Sequence, residues 1–386
     1  MSIANNETKY LSKKTKARLL LILKQIAVVG ASYVFISFVI ADKPNTFLVA
    51  LSLGNGLIFT VGNIAWNRQN KIKKEIQNFT ETGNKIIESN NLSIYKKQGL
   101  REKIVSQVAC GEKIDSLNLI FADLKKVELI GVNFNYLYLS GIELNGANLT
   151  NAQLIGVDLS EADLQNAQLV DAQLVGANLN SIRLTSANLN NANLTETNLS
   201  TAILNNACLI GAQLVDANLS DAKLLSTNLT DAKLMKAYCW NANLNHAQLV
   251  NADLTCAYMN NVKLNNANLT RAILKNAQLS EAKLKNSNLK SVNLKQAQLD
   301  NANLKNANLS EACLDKANLE NTNFEGANLY NTDLRQANLT NTNFINTKVK
   351  NARFGWNIGI SEDVKIYLKQ QGAIYEDELL GNQYAK

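Results

Sequence analysis

Few side chains in this sequence could carry out nucleophilic or acid–base chemistry, because its 386 residues include one histidine and five cysteines. The cysteines are widely separated: Cys110, Cys208, Cys239, Cys256 and Cys313. No two of them have C-x-x-C spacing and none has a histidine at metal-ligand spacing, so the pattern favours free thiols in a reducing compartment. His246 is the single imidazole, which excludes a histidine-rich metal site. We therefore predict neither a metal nor a cofactor.

A cysteine nucleophile would need His246 as its base, with Cys239 or Cys256 as the thiol. No acid in register is available to orient the imidazole. The chain also contains no glycine-rich phosphate loop and no paired carboxylates of the kind that form a catalytic cleft. The sequence therefore predicts a protein that is not an enzyme, with no catalytic residue and no small-molecule substrate.

The residues just named lie mostly within a long periodic segment. From Leu119 to Phe354 every fifth residue is apolar, and forty-one of these forty-eight positions are Leu, with Ala two residues earlier in thirty-two repeats. An α-helix with this period would spread its leucines around its whole circumference, and a flat strand would send alternate leucines to opposite faces. A short extended triplet with its first and third side chains inside, followed by a two-residue corner, satisfies the period.

The repeats ANLTN, ADLQN, ADLTC and ANLKN resemble the pentapeptide repeat family, whose pattern is A-[DN]-L-x-x. The resemblance covers about 240 of the 386 residues. It implies a mainly β fold, a right-handed quadrilateral β-helix with four pentapeptides in each coil. Forty-eight repeats then predict about twelve coils and a solenoid roughly 58 Å long, at about 4.8 Å per coil.

Both ends of this solenoid are predicted to be covered by helices. Bulkier residues replace Ala in the first coils, as if the interior widens to receive an apolar helix from residues 93–110; they are Leu117, Val127, Val132, Leu137 and Ile142. At the other end, Ser361 suits an N-cap and Gly372 suits a helix terminator. A short helix should therefore close the rod there.

With four repeats per coil, residues twenty apart stack on one face, so the unusual segment DAKLMKAYCWNANL, residues 231–244, becomes a surface. Cys239 then lies beneath Met259 in the interior. Outside, the sequence predicts a candidate partner-binding patch formed by Tyr238, Trp240, Tyr258 and, on a flanking corner, His246. The structural alternative is that Cys and Met fit a local change of core width, while the aromatic rings shield the joint between coils.

Charge changes sign along the solenoid. The stretch from Glu128 to Asp221 contains nine acids and one base, whereas Lys223 to Lys305 contains eleven bases and four acids. A candidate basic strip follows one face and the neighbouring corner: Lys223, Lys263, Lys283, Lys285 and Lys305. Such a strip could bind an acidic protein, phosphate or nucleic acid, or it could be a solvated surface that opposes aggregation.

The net charge of +7 originates in the first 116 residues, which carry +9, whereas residues 117–354 are neutral and residues 355–386 carry −2. Two apolar runs in the basic region, residues 19–41 and 47–66, are each long enough to span a bilayer as a helix. Only DKPNT separates them, so they predict a transmembrane hairpin. Lys and Arg cluster outside both runs, which places both termini and the solenoid on the cytoplasmic side of a plasma or thylakoid membrane.

The alternative for the first run is a secretory signal, with Val39, Ile40 and Ala41 as its cleavage site. With the hairpin, the chain divides into five parts: a basic cytoplasmic N-terminus (1–18), the transmembrane hairpin (19–66), an amphipathic helical linker and N-terminal cap (67–116), the solenoid (117–354), and a C-terminal helical cap and tail (355–386).

These features predict a membrane-tethered, non-catalytic scaffold for protein–protein interactions, which presents a rigid rod to the cytoplasm. Its partners would be the membrane and an unidentified protein. Membrane-anchored pentapeptide repeat proteins of similar appearance are abundant in cyanobacteria, and some are linked to envelope or heterocyst glycolipid assembly. The resemblance therefore implies a role in envelope or glycolipid organisation.

The alternative function is that of a nucleic-acid-directed protein, either a DNA mimic or a basic-strip binder, that regulates a DNA- or RNA-acting partner. Members of the family that imitate DNA are soluble and have a strongly acidic rod. A rod that is neutral overall and tethered to a membrane disfavours nucleic acid as the partner.

Overall fold

The computed structural model describes residues 123–377 without interruption, preceded by five separate residues: Glu102, Ile104, Ser106, Gln107 and Leu119. Nearer the N-terminus it describes the backbone of residues 34–40, 47–53 and 57–61. The chain divides into two compact units, Met1–Leu100 and Arg101–Lys386.

The first unit contains an antiparallel sheet of three strands, β1 (Val34–Ile40), β2 (Phe47–Leu53) and β3 (Leu57–Val61). β2 is the central strand. Its Phe47 pairs with Ile40 of β1, and its Leu53 pairs with Leu57 of β3, so each connection joins the ends of neighbouring strands.

The sequence predicts helices at 19–41 and 47–66, whereas the described residues of these runs form strands, so the helical hairpin is not confirmed there. The β-branched and aromatic side chains of VFISFVI and LIFTV favour an extended backbone, and the Gly-Asn-Gly triplet after β2 disfavours a helix. The rest of both apolar runs lies outside the described residues. No helix in the described part of the chain is both long and apolar enough to cross a lipid bilayer.

Helical backbone precedes the solenoid at Glu102, Ile104, Ser106 and Gln107. Ile104 is buried, and it belongs to the same apolar core as the first leucines of the repeats. These four residues agree with the predicted covering helix at 93–110. The other residues of that helix lie outside the described part of the chain.

From residue 123 onward the chain forms a coil that takes twenty residues per turn. The outward residue of each triplet forms a parallel bridge with the residue twenty positions later, as Asn148 does with Gln168. The Leu149 N–H donates to the carbonyl of Gln168 at 2.6 Å, and the Asn148 N–H donates to the carbonyl of Val127 at 2.9 Å. Four pentapeptides therefore complete one coil, and each forms one of its sides.

Leucine and alanine of the repeats fill the interior of this coil. In the repeat Ala147-Asn148-Leu149, Ala and Leu are fully buried and Asn is half-buried on the outside, which confirms the predicted triplet. The bulkier residues of the first coils occupy the same interior positions and contact the core: Val127, Val132, Leu137 and Ile142. Leu117 lies outside the described residues. Because each coil contacts only its neighbours, stability accumulates from one coil to the next.

Threonine replaces Ala at several interior positions, and the backbone satisfies its hydroxyl there. Oγ1 of Thr322 donates to the carbonyl of Leu299 at 2.8 Å, and Oγ1 of Thr332 donates to that of Leu309 at 2.7 Å. The same bond, to the carbonyl twenty-three residues earlier, recurs at Thr197, Thr227, Thr342 and Thr347. A buried hydroxyl without such a partner would cost about 1–3 kcal/mol.

A tight turn forms each corner. The next interior residue donates back to the leucine, as in the 3.0 Å bond from the Ala152 N–H to the Leu149 carbonyl. The second corner residue has a left-handed backbone, with φ of 58° at Asn151 and 60° at Gly156. Glycine lacks the Cβ that opposes this conformation and asparagine tolerates it well, which explains why these two residues are the most common at this position.

Helix α1 (Glu362–Gln370) closes the C-terminal end, between two short strands, β4 (Arg353–Phe354) and β5 (Ile374–Tyr375). β5 pairs in parallel with β4 and so adds a further rung to the ladder. The Ser361 hydroxyl accepts a hydrogen bond from the Val364 N–H at 3.4 Å, and Gly372 follows the helix with φ of 90°. Both predicted helix boundaries are thus confirmed.

An ion-pair network fastens this cap to the last coils. Glu376 accepts from Nε of Arg353 at 2.6 Å and from Nη1 of Arg335 at 3.0 Å, and Nη2 of Arg335 lies 2.7 Å from Asp333. Desolvation raises the pKa of Asp333, but hydrogen bonds from Arg335 outweigh it, so this pKa is lowered overall. The hydrogen bond from Arg353 is the main cause that lowers the pKa of Glu376.

Candidate partner-binding surface

Tyr238 of the unusual segment and Tyr258, one coil later, stand on one ladder of the solenoid. Tyr238 forms a parallel bridge with Tyr258, so their side chains leave the same face one coil apart. Their rings stack with centroids 4.9 Å apart and an interplanar angle of 4°. Each tyrosine occupies the outward position of its triplet, where most repeats place Asn, Gln or another polar residue.

Trp240 is the first corner residue after the Tyr238 strand. Its ring centroid lies 6.0 Å from Tyr238 and 6.3 Å from Tyr258, and its plane is nearly perpendicular to both rings, at 87° and 86°. The nearly equal distances place the indole beside the stack, where it spans both coils. Tyr238 remains 38% exposed and Trp240 46% exposed. These three residues, hereafter the aromatic trio, form a preorganised apolar surface on the outside of the rod.

The interior beneath the aromatic trio also departs from the repeat. Cys239 and Met259 replace leucine, and both are fully buried. Burial raises the pKa of the Cys239 thiol to about 12. This thiol is therefore protonated near neutral pH and inaccessible, whereas a reactive cysteine needs an exposed thiolate. In the described part of the chain, no cluster of His, Cys, Asp and Glu side chains could hold a metal ion.

His246 lies away from the aromatic trio. It is the second residue of the next corner, beyond the triplet 242–244, and its backbone has a φ of 61°. Its side chain is exposed. One full side of the coil therefore separates it from Trp240. Cys256 occupies the corner that precedes Tyr258, with φ of 58°. The fold thus brings together three of the four residues of the predicted patch and leaves His246 at the far end of the adjoining face.

Four of the five lysines in the predicted basic strip form no ion pair with a described carboxylate: Lys223, Lys263, Lys283 and Lys285. The first three share one ladder, and Lys285 stands on the corner two residues after Lys283. Lys305 differs, because its Nζ lies 2.8 Å from Oε1 of Glu325. Only the first four therefore present uncompensated positive charge, and we call them the unpaired lysines.

The acidic part of the same ladder is neutralised within the chain. Nζ of Lys125 lies 2.5 Å from Glu143, and Nε of Arg183 lies 3.8 Å from Asp163. Burial raises the pKa of Asp163, but hydrogen bonds from Asn145 and Gln165 outweigh it and lower this pKa overall. The acids of this ladder thus have basic side chains within ion-pair distance, whereas the unpaired lysines have no described carboxylate within that distance.

The aromatic trio and the unpaired lysines meet at one corner. Trp240 begins the corner between the face of Tyr238 and the face that carries Asn243. Asn243 bridges Lys223 on one side and Lys263 on the other, so lysines lie one coil before and one coil after it on the adjoining face. From sequence alone the two surfaces are separate features. The sequence signal that connects the trio with the lysines is the position of Trp240 three residues before Asn243, which bridges Lys223 and Lys263.

Two further features of this corner escape sequence reasoning. Asn260 lies twenty residues after Trp240, at the same corner, and its Oδ1 is buried with no hydrogen-bond partner among the described residues. An open groove nearby is lined by Asn261, Asn265, Glu281, Lys283, Lys285, Asn301 and Asn303. The corner therefore combines apolar rings, an unused acceptor and positive charge.

The repeat segment matches the family model for pentapeptide repeats in eight copies. The matched stretches are residues 116–151, 142–180, 182–221, 212–249, 232–271, 252–290, 287–326 and 317–355. They include the aromatic trio and the unpaired lysines. No curated protein matches the chain significantly.

Solved structures of pentapeptide repeat proteins are similar to the chain. HetL from the cyanobacterium Nostoc sp. strain PCC 7120, which is involved in heterocyst differentiation regulation, is 29% identical over 64% of this chain and 94% of its own, with a TM-score of 0.29. Rfr23 from the cyanobacterium Cyanothece 51142 is 40% identical over 22% of this chain and 58% of its own, with a TM-score of 0.22. QnrB1, a plasmid-mediated fluoroquinolone resistance protein, is 18% identical over 55% of this chain and 96% of its own, with a TM-score of 0.25.

The eight matches extend from residue 116 to residue 355 and so cover more than half of the 386 residues. The chain therefore belongs to the pentapeptide repeat family, whose members adopt a right-handed β-helix.

Proposed function

We propose that this protein is a non-catalytic interaction scaffold, whose rod binds a partner protein through the aromatic trio. We also propose that residues 19–66 tether it to a membrane, with both termini and the rod in the cytoplasm. Pentapeptide repeat proteins are generally structural or interaction proteins. A narrower form of the proposal, a role in envelope or glycolipid organisation, depends on the resemblance to membrane-anchored cyanobacterial members.

The observation that carries the proposal is the mutual packing of three aromatic rings on the outside of the rod, where Tyr238 is 38% exposed and Trp240 46% exposed. Tyr and Trp are enriched at the energetic centres of protein interfaces, because they bury large surfaces and lose little conformational entropy. The contacts among Tyr238, Trp240 and Tyr258 already restrain these rings, so binding would cost them little further freedom. A partner would therefore find a preformed apolar contact point.

Proximity labelling in living cells, with the labelling enzyme fused to the C-terminus, tests the role of the trio. The variant combines Tyr238→Ala with Trp240→Ala. Its matched control combines Ile273→Ala with Tyr330→Ala, which removes side chains that are 38% and 40% exposed elsewhere on the rod. We expect the trio variant alone to lose specific partners while its circular dichroism remains that of the wild type. Identical partner lists for the two variants would refute the role of the trio.

Support for the tether comes from the sequence, since residues 19–41 and 47–66 are apolar and their outer flanks are basic. If the tether exists, alkaline carbonate should leave the full-length protein in the membrane pellet, and deletion of residues 19–66 should release it. Recovery of the full-length protein in the supernatant would contradict the proposal. This experiment addresses attachment and is independent of the secondary structure of the anchor.

Native cysteines of the rod report its orientation. Cys208, Cys256 and Cys313 are partly exposed, so a membrane-impermeant maleimide can reach them. In a Cys110→Ser background, a cytoplasmic rod should remain unlabelled in intact spheroplasts and become labelled after lysis. Labelling of intact spheroplasts would place the rod on the opposite side.

A further inference from the structure

We propose that the corner around Trp240 binds an acidic peptide segment that carries an apolar side chain among its carboxylates. This inference rests on the proposed function, because it names the chemistry of the partner segment that contacts the aromatic trio. It follows from the charge beside the trio, from an unused acceptor at the same corner and from the packing of the rings.

The charge beside the trio is positive and is not neutralised within the described chain. Lys263 and Lys283 are bridge partners, so two like charges stand one coil apart, an arrangement that destabilises a sheet. Later coils pair the same residue type with an acid: Lys295 with Asp315 at 2.8 Å, and Lys305 with Glu325 at 2.8 Å. Lysines without ion pairs also occur elsewhere in the described rod, but among its bridges only Lys263 and Lys283 set lysine directly against lysine. Carboxylates of a bound segment would supply the missing counter-charge.

The unused acceptor favours a polypeptide as the occupant. Oδ1 of Asn260 is buried without a partner among the described residues, one coil from Trp240 at the same corner. Because this oxygen is inaccessible from outside, it can be satisfied by a bound segment only when the Asn260 side chain turns outward, and a peptide backbone then offers an N–H at almost every residue. The sugar-phosphate backbone of DNA offers no donor of this kind. An apolar side chain of the same segment would then contact the exposed indole of Trp240.

The packing of the rings argues against a nucleic acid. Tyr238 and Tyr258 stack on each other at 4.9 Å, so these faces are not available to bases, which need open aromatic faces. Exposed carboxylates also interrupt the lysines, since Asp221 precedes Lys223 and Glu281 precedes Lys283 on the same corner. A continuous phosphate backbone would be repelled at these points, whereas a short acidic segment can avoid them.

Fluorescence anisotropy with the full-length protein tests the proposal. The probe is a short fluorescein-labelled peptide of glutamates with two phenylalanines. An all-glutamate peptide of the same length and an oligothymidylate of the same charge serve as comparison probes. The variants are Lys263→Gln with Lys283→Gln, and Trp240→Ala. Lys233→Gln with Lys275→Gln is the matched control, because it removes two exposed lysines without ion pairs in the described chain from other parts of the coil.

We expect the glutamate–phenylalanine peptide to bind about tenfold more weakly to the Lys263/Lys283 variant and to the Trp240 variant, and equally well to the control. The all-glutamate peptide should bind more weakly to the wild type and should be insensitive to Trp240→Ala. Absence of binding at low salt, equal weakening in the control, or tighter binding of oligothymidylate would each overturn the proposal. If the peptide fails while partner labelling still depends on the trio, the proposed function stands and the acidic chemistry is wrong.

Discussion

Replacing Leu274 by Ala, and separately its neighbour Ile273 by Ala, tests the alternation of inside and outside on which the solenoid depends. Both substitutions remove three carbon atoms from isomeric side chains. Leu274 is 1% exposed in the interior, whereas Ile273 is 38% exposed on the outer face. The two positions share one strand, so differences in local backbone and in distance from the rod ends are small.

The expected costs follow from these exposures. Leu274→Ala loses a fully buried side chain and leaves a cavity between neighbouring coils, which should lower the free energy of unfolding by about 3–5 kcal/mol. Ile273 hides somewhat more than half of its surface, so its truncation should cost about 1 kcal/mol, and water fills the space that it leaves. The difference between the two variants should therefore exceed about 2 kcal/mol.

Urea unfolding, followed by far-ultraviolet circular dichroism on the full-length protein, gives both values from the transition midpoints and slopes. A smaller slope for Leu274→Ala would indicate that the solenoid unfolds in two parts, as expected when one weakened coil interrupts a one-dimensional stack. Equal costs for the two variants, or a larger cost for Ile273→Ala, would refute the in–out–in triplet.

Three further predictions concern the corners, the cap and the interior thiol. Gly359→Ala should destabilise the C-terminal end by more than about 2 kcal/mol, because φ is +75° and the new Cβ would lie 2.5 Å from the Cα of Thr340. Gly176→Ala, where φ is +63° and the new Cβ would enter open space, should cost about 1 kcal/mol. Thermal denaturation of the two variants measures this difference. The hydrogen bond from Arg353 holds the pKa of Glu376 below its ordinary value of 4.5. The ion pair therefore stabilises the cap fully above pH 4.5, and this contribution is lost as the pH falls through the lower pKa of the folded state. Glu376→Gln should accordingly lower the Tm near neutral pH and reduce its further decrease in acid, and an unchanged acid dependence would remove Glu376 as its cause. Cys239 should resist iodoacetamide in the folded protein at mildly alkaline pH, because it is buried with a pKa of about 12. The partly exposed Cys208 and Cys256 should react. Equal modification rates of the three cysteines, measured by peptide mass spectrometry, would mean that the interior opens.

Much of the aromatic trio was predictable from the repeat. Once four pentapeptides complete a coil, Tyr238 and Tyr258 must be neighbours, and the same register places Cys239 beneath Met259. The predicted membership of His246 in the patch was wrong. Its distance from Tyr238 in sequence is small, but each corner turns the chain onto another face, so proximity in sequence does not bring side chains together around a coil.

The basic strip shows that charge must also be interpreted coil by coil. Sequence counts Lys285 and Lys305 alike, as lysines twenty residues apart on one corner. In the structure Lys305 reaches Glu325 in the next coil, whereas Lys285 has no described carboxylate within ion-pair distance. The twenty-residue register accounts for the difference, because the corner residue one coil after Lys305 is Glu325, whereas the one after Lys285 is Lys305.

By itself the sequence determined the five-residue register and the inward leucines, because burial of one apolar side chain in every five constrains the backbone path, and it also marked the helix that closes the C-terminal end. The twenty-residue coil was implied by the resemblance to the pentapeptide repeat family. Only the tertiary structure decided how β1, β2 and β3 pair, how Trp240 packs against the stacked tyrosines, and the corner where Trp240 meets Lys223 and Lys263. The first set depends on periodic burial, which is written locally in each repeat. The second depends on contacts between segments that are distant in sequence or on different faces, and no local pattern records them.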